Sequence, residues 1–193
     1  MEDLHTRLRE LDVNDDERIE QFLALLINYG EAALPILNEL LNSTNSNKRA
    51  LAIHALSYLN HPSTPSALFH GLNDPDLLVR YSALIGLRLQ PNRKALPSLV
   101  QLLCDKDALI VRLATDALIT LGEYSIPSLV DVLKTQHGPG RIEAARALAS
   151  IDHEDVIQPL LMALGDRSSF VDYWAREGLG RRGLGMLFFS PGA

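Results

Sequence analysis

Alanines recur along this chain at a fixed interval. Ala52, Ala83, Ala114, Ala144 and Ala175 stand 30 or 31 residues apart. The same spacing carries Ala55, Gly86, Ala117, Ala147 and Gly178, and then Leu56, Leu87, Leu118, Leu148 and Leu179. A weaker first copy supplies Gln21, Ala24 and Leu25. A period of roughly 20–50 residues marks a stacked array, in which each repeat buries its apolar face only against its neighbours. Such arrays rarely carry chemistry of their own and more often build long surfaces for partners.

Prolines keep the same time. Pro35, Pro65, Pro97, Pro127 and Pro159 each precede an apolar stretch (ILNELL, SALFHGL, SLVQLL, SLVDVL, LLMAL). Proline is tolerated in the first turn of a helix, where its missing N–H has no partner to lose. Each repeat therefore reads as a helix A that starts near proline, a short turn, and a helix B that carries the alanine columns. Asn14, Asn45, Asp76, Asp107, His137 and Ser168 stand four residues ahead of the column Arg18, Arg49, Arg80, Val111, Arg141, Asp172. Asn, Asp and Ser accept the orphan amide hydrogens at a helix start. His137 fits poorly, and Gly138-Pro139-Gly140 beside it predicts a distorted turn. The helix pairs fall at 3–11 with 15–28, 33–42 with 46–59, 63–73 with 77–89, 94–104 with 108–121, 125–135 with 140–151, and 155–165 with 169–182. No stretch alternates with period two long enough to compete as a strand.

Bulk properties narrow the function. The chain has 193 residues, 47% of them hydrophobic, and a net charge of −6. An acidic balance argues against nucleic-acid binding, which needs a basic field. A single cysteine excludes a disulfide framework or a self-contained cysteine metal cluster. No apolar run approaches the roughly 18 residues of a membrane span, and MEDLHTRLRE lacks the apolar core of a signal peptide. The expectation is a cytoplasmic protein with no membrane insertion.

The phrases NDPDLLVRYSALIGL and LPSLVQLLCDKDALIVRLATDALITLG resemble HEAT repeats. More narrowly they are similar to the short HEAT-like repeats of cyanobacterial phycobilin lyases of the E/F type and their phycobilisome-degradation relatives. The closing VDYWAREGLGRRGLGMLFFSP looks like the end of small proteins of that group. The resemblance covers roughly residues 30–180 and implies an all-α, HEAT-like α–α superhelix: a right-handed solenoid of about six helical hairpins. On this reading residues 1–182 form one array. Residues 183–193 form a tail whose apolar Met186-Leu187-Phe188-Phe189 either folds back to cap the last repeat or docks on a partner.

Helix geometry separates core from surface. Counted from the Arg49/Arg80/Arg141 column, offsets −1, +3, +6, +7 and +10 share one side at 100° per residue, and +1, +5 and +8 point the opposite way. In HEAT-like arrays the B helices line the concave face, so the second set predicts a partner groove. It contains Tyr81, Ile85 and Arg88, then Arg112, Asp116 and Ile119, then Ile142 and Arg146, then Tyr173 and Glu177. Ile53, Leu84 and Arg176 flank it at +4, and Leu113 and Trp174 at +2. Tyr, Trp and Arg are frequent binding hot spots. The competing reading packs part of this strip between neighbouring B helices. The Arg49, Arg80 and Arg141 column itself is expected to form a structural ladder with acidic or amide side chains of adjacent repeats.

Sites for chemistry are sparse. Cys104 aligns with Asn42, Asn73, Lys134 and Asp166, all turn-side positions, with Lys106 offset by Asp105 and Asp107. The histidines His5, His54, His61, His70, His137 and His153 include no pair at helical metal-binding spacing. No catalytic residues, metal or resident cofactor are expected.

Three functions remain open. The first is a non-catalytic scaffold or chaperone-like factor holding a protein client, in phycobilisome or photosynthetic complex assembly or turnover. The second is implied by the resemblance: a subunit of a heteromeric bilin lyase or isomerase, working with a second HEAT-repeat chain on phycobiliprotein subunits. There Glu177 or Asp116 would meet pyrrole nitrogens, Tyr173 or Trp174 would stack on the pigment, and Arg112, Arg146 or Arg176 would hold propionates. The third is an accessory partner in iron–sulfur cluster assembly.

Overall fold

A computed structural model describes residues 2–12, 15–59, 61–135 and 137–185. Among the described residues all regular structure is helical. The elements are α1 (Glu2–Glu10), α2 (Asp16–Tyr29), α3 (Leu34–Leu41), α4 (Ser46–Tyr58), α5 (Thr64–Leu72) and α6 (Leu77–Leu89). They continue with α7 (Leu96–Leu102), α8 (Ala108–Thr120), α9 (Ile126–Thr135), α10 (Pro139–Ser150), α11 (Ile157–Met162) and α12 (Ser169–Gly180). Odd-numbered elements are the A helices and even-numbered ones the B helices. This is the all-α repeat architecture expected from the spacing. One refinement concerns the A helices: α3, α7, α9 and α11 are each led in by a short 3-10 turn, at Gly30–Ala33, Arg93–Ala95, Gly122–Ser125 and Glu154–Val156.

The starts of the B helices follow the cap chemistry. The Asn45 side chain accepts from the amides of Asn47 and Lys48 at 2.9 and 3.4 Å. Asp76 accepts from Leu78 at 2.9 Å, and Asp107 from Leu109 and Ile110 at 2.9 and 3.0 Å. Each such cap stabilises its helix by about 1 kcal/mol. Asn14 lies outside the described residues, and Asp15 caps α2 by accepting from the Arg18 amide. Ser168 occupies the cap position of α12 without a side-chain bond. At α10 the expected distortion is present: Gly138 takes the cap position with φ 71°, a left-handed conformation that glycine adopts at little cost, and Pro139 opens the helix.

A second device precedes the caps. Ser43, Asp74, Asp105 and Asp166 each accept a hydrogen bond from the amide two residues ahead. This corrects the alignment of Cys104. Asp166 is the counterpart of Asp74 and Asp105, so Gly165 rather than Asp166 matches Asn73 and Cys104. Gly165 sits at φ 72°, which turns the last repeat one residue early. Cys104 itself is exposed.

The chain divides into two compact units, residues 1–92 and 93–193. In the first, α4 packs between α2 and α6, with α3 and α5 behind. Leu26, Ile36, Leu37, Leu40 and Leu56 are fully buried there. In the second, α10 packs against α8, α9 and α12, and Leu118, Leu129, Leu148, Leu160 and Leu179 are buried. The small residues of the +6 column earn their place by close approach. A Cβ added to Gly86 would lie 2.4 Å from the Ser57 hydroxyl, and one added to Gly178 would lie 2.8 Å from the Ala149 Cα. Ser57 and Ala149 both stand at offset +8 of the preceding B helix, so the same contact recurs in both units.

The C-terminal part of α12 ends in a Schellman closure. Gly183, at φ 74°, donates to the Gly180 carbonyl at 3.0 Å, and Leu184 to the Leu179 carbonyl at 3.0 Å. Residues 186–193, which hold the apolar tail motif, lie outside the described residues. Among the described residues no helix is long and apolar enough to cross a membrane, and no group of three or more His, Cys, Asp or Glu is gathered to hold a metal ion.

Candidate functional site

The arginine ladder is structural. Arg49 makes a two-pronged contact with Asp74, through Nε and Nη2 at 2.8 Å each, and its Nη1 donates to the carbonyls of Ser43 and Thr44. Arg141 repeats this with Asp166, again through two nitrogens, while its Nε donates to the Leu133 carbonyl. The guanidinium hydrogen bonds hold Asp74 and Asp166 below the usual carboxylate range, against a smaller opposing effect of burial. Arg80 donates to the carbonyls of Asp74 and Pro75. Each guanidinium thus ties its own turn together, and Arg49 and Arg141 also reach the aspartate of the next repeat.

The predicted groove residues fall into distinct environments. In the first unit Tyr81 and Ile85 are half-buried and Arg88 is exposed on α6. In the second unit Arg112, Tyr173 and Arg176 are exposed, and Asp116, Trp174 and Glu177 are half-buried. Arg146 is buried. Its Nε donates to Glu143 at 2.7 Å, its Nη1 to Asp116 at 3.1 Å, and its Nη2 to the Arg112 carbonyl at 3.5 Å. Arg112 approaches Asp116 at 3.7 Å on the same helix. The structure therefore brings Arg112, Asp116 and Arg146 together, as the register suggested, but with every Arg146 nitrogen committed inside the protein. The packing alternative applies to Arg146 and Asp116.

The flanking +4 positions need a different reading. Ile53, Leu84, Thr115 and Ala145 all stand at +4 and all are buried. Ile53 presses on Gly71, where an added Cβ would lie 2.4 Å from its Cδ1. Offset +4 is thus an inter-repeat packing position and not a groove position. Leu113, at +2, is buried as well. Arg176 is the polar occupant of the +4 column in α12, paired with Asp172 at 2.8 Å. On the same helix Tyr173 and Trp174 meet edge to face with centroids 5.1 Å apart, and Arg181 donates to Glu177 at 3.1 Å.

Two features were missed from the sequence. The first is a set of exposed apolar residues in the opening turns of the B helices: Leu78, Leu109 and Phe170, all at offset −2 and 45%, 48% and 63% exposed. At 100° per residue, −2 shares a face with +1 and +5, so this signal was available in the register. In the first unit the same face carries a half-open depression of about 250 Å³, lined by Ile19 of α2, Asn47, Ala50, Leu51 and His54 of α4, and Leu78 and Ser82 of α6. His54 is half-buried, and burial pushes its imidazole below the ordinary histidine value.

The second is a pair of cross-repeat caps. Gln90 Nε2 donates to the carbonyls of Ser57 and Leu59 at 2.8 and 3.0 Å, closing the end of α4. Arg182 does the same for α10, donating to the carbonyls of Ala149 and Ile151, and also to Gly178 of its own helix. Gln90 and Arg182 both stand at offset +10. Their different side chains hid the shared role.

A family profile of HEAT repeats matches residues 3–88, 33–120 and 65–139, and one described as a PBS lyase HEAT-like repeat matches residues 140–166. A comparison with curated proteins finds no match. Among solved structures, Escherichia coli YibA is similar with a TM-score of 0.61 at 22% identity, over 93% of this chain and 71% of that one. A designed armadillo repeat protein gives 0.55 at 19% identity, over 92% and 98%. An engineered protein gives 0.51 at 22% identity, over 96% and 98%. At these identities the likeness concerns the fold alone.

Proposed function

We propose, from the premise that this chain belongs to the HEAT-repeat family, that it is a non-catalytic scaffold holding a protein client against its B-helix faces. The observation that carries this reading is the surface at offsets −2 and +1. There Leu78, Leu109, Phe170 and Tyr173 stay exposed in a repeated register, while the charged residues nearby are paired with one another. Repeated apolar side chains left at a surface, rimmed by polar ones, mark an interaction site. Tyr81, Ile85, Arg88, Arg112, Tyr173, Trp174 and Glu177 remain the groove residues of this reading. Asp116 and Arg146 support Arg112 from within the second unit, and Arg176 is held in the +4 column of α12 by Asp172.

The client class we favour lies in phycobilisome or photosynthetic complex assembly or turnover. The PBS lyase HEAT-like profile over residues 140–166 supports it. That profile also favours a second reading, a subunit of a heteromeric bilin lyase. In that reading the Arg146 guanidinium is already spent on Asp116 and Glu143. Tyr173 and Trp174 are the residues free to stack on a flat pigment, and Arg112 is the exposed cation to hold a propionate. The protein stays in the cytoplasm on either reading, and a second HEAT-repeat chain is a partner consistent with both.

The test is a tagged copy recovered from a cyanobacterial lysate at mild salt, followed by titration calorimetry with the purified co-eluting protein. Tyr173→Ala should weaken that client at least tenfold. Unchanged affinity would overturn the face assignment, and bilin absorbance in the complex would transfer the case to the lyase reading.

A further inference from the structure

Each unit shows how a B helix receives its successor. Gly86 of α6 lies against Ser57 of α4, and Gly178 of α12 lies against Ala149 of α10. Ser57 and Ala149 both stand at offset +8, and offset +4 beside them is buried at Ile53 and Ala145. At 100° per residue, +1, +4 and +8 fall within about 60° of one another. They mark the onward face of a B helix, the side its successor covers. On α12 that face consists of Tyr173, Arg176 and Gly180. No helix follows α12 among the described residues, and all three are exposed, Tyr173 by 54%.

The chain itself turns back onto this face. The Schellman closure at Gly183 reverses its direction. Gly185 then lies against the helix, where an added Cβ would stand 3.3 Å from the Gly180 Cα. A glycine thus meets offset +8 a third time, supplied here by the returning chain. Tyr173 lies roughly 10 Å before Gly180 along the helix axis, at about 1.5 Å per residue. Three extended residues cover about the same distance. From Gly185 that reach brings Phe188 and Phe189 level with Tyr173.

We propose that Met186-Leu187-Phe188-Phe189 folds back on α12 of its own chain and takes the place of a following B helix, with the phenylalanine rings against Tyr173 and the alkyl stem of Arg176. An apolar occupant suits this face. The Arg176 charge is already met by Asp172 at 2.8 Å, so covering its stem strands no cation. Aromatic rings packed edge to face gain beyond the area they bury, and a guanidinium beside a ring adds to that. The end of a stacked array needs a cover to stay soluble. The contact lies within one chain and holds whether or not the scaffold reading does.

The test is NMR of the full chain with labelled phenylalanine and tyrosine rings, at a concentration where sedimentation velocity shows a monomer. The expected result is nuclear Overhauser contacts from Phe188 or Phe189 to the Tyr173 ring. The double variant Phe188→Ser/Phe189→Ser should lose them and keep its helical circular dichroism. It should also raise acrylamide quenching of Trp174, the one tryptophan, whose ring stands 5.1 Å from that of Tyr173. Absence of any contact between these phenylalanines and α12 would overturn the proposal. Contacts to Phe170 in place of Tyr173 would do the same, since they would put the segment on the client face. Contacts seen only between differently labelled chains would make a second copy the holder and overturn it as well. So would quenching left unchanged in the double variant.

Discussion

The B-helix faces of the two units use the same register for opposite purposes. At offset +5 the first unit has His54 and Ile85, and its face closes around a neutral pocket. At the same offset the second unit has Asp116 and Arg146, and its face closes over an ion-paired cluster with Glu143 and Arg112. The helical register of the face is shared, so the contrast at offset +5 lies in the side chains. An uncharged face can leave an opening, because apolar side chains demand no partner. A charged face must fill itself, because a buried guanidinium needs its hydrogen bonds met. The first unit therefore keeps uncharged side chains on this face, and the second holds its charges against one another.

The sharpest way to break this contrast is to remove the charge that fills the second face. Arg146→Ala leaves Asp116 and Glu143 without their cation and should cost about 3 kcal/mol in urea unfolding. A loss under about 1 kcal/mol would mean the cluster is ornamental. Next come the close approaches. Gly178→Ala drives a Cβ onto the Ala149 backbone and should cost about 2–3 kcal/mol. Gly86→Ala meets the Ser57 hydroxyl and a Leu68 methyl, which can rotate aside, and should cost about 1–2 kcal/mol. The reverse order would show that the two units do not pack their B helices alike.

Acid should act on the first unit's face at a higher pH than on the arginine ladder. The His54 value is lowered by burial, so the unfolded chain binds the extra proton more readily. The stability tied to neutral His54 is fully present above pH 6.5 and is lost as pH falls through the folded value. His54→Gln should flatten that part of the urea profile between pH 7 and 5, and an unchanged slope would contradict it. The ladder carboxylates Asp74 and Asp166 are lowered by their arginines, so their contribution persists until pH falls below the ordinary carboxylate value of 3.8. The smallest effect is expected at Arg112→Ala, within about 0.5 kcal/mol, because that side chain is mostly exposed and its pairing is a surface one.

Much of this architecture was legible in the residues themselves. Asn45, Asp76 and Asp107 announce their caps, since a short acceptor side chain before an apolar period has few other uses. Gly86 and Gly178 announce close helix contact. The face was only half legible. Offsets +1 and +5 were read as surface without −2, which hid Leu78, Leu109 and Phe170. Arg146 looked available because its register points outward, yet Asp116 of α8 and Glu143 one turn earlier on α10 hold it down. Side-chain length defeats a purely angular reading: a guanidinium reaches far enough to be buried from a surface position. Gln90 and Arg182 were invisible because an amide and a guanidinium do not align by type, although both donate to two carbonyls at the end of the preceding B helix.

That pair of caps also sets an order of assembly. The carbonyl end of α4 is closed by Gln90, and that of α10 by Arg182, each a side chain encoded more than thirty residues downstream. A hairpin made first therefore stays unfinished at one end until the next has been synthesised and has settled beside it. During synthesis α6 completes α4 and α12 completes α10, so at these two steps growth and consolidation run in the same direction. Loss of α12 would uncap α10, and loss of α6 would uncap α4, each exposing the carbonyls that the departing side chain had covered.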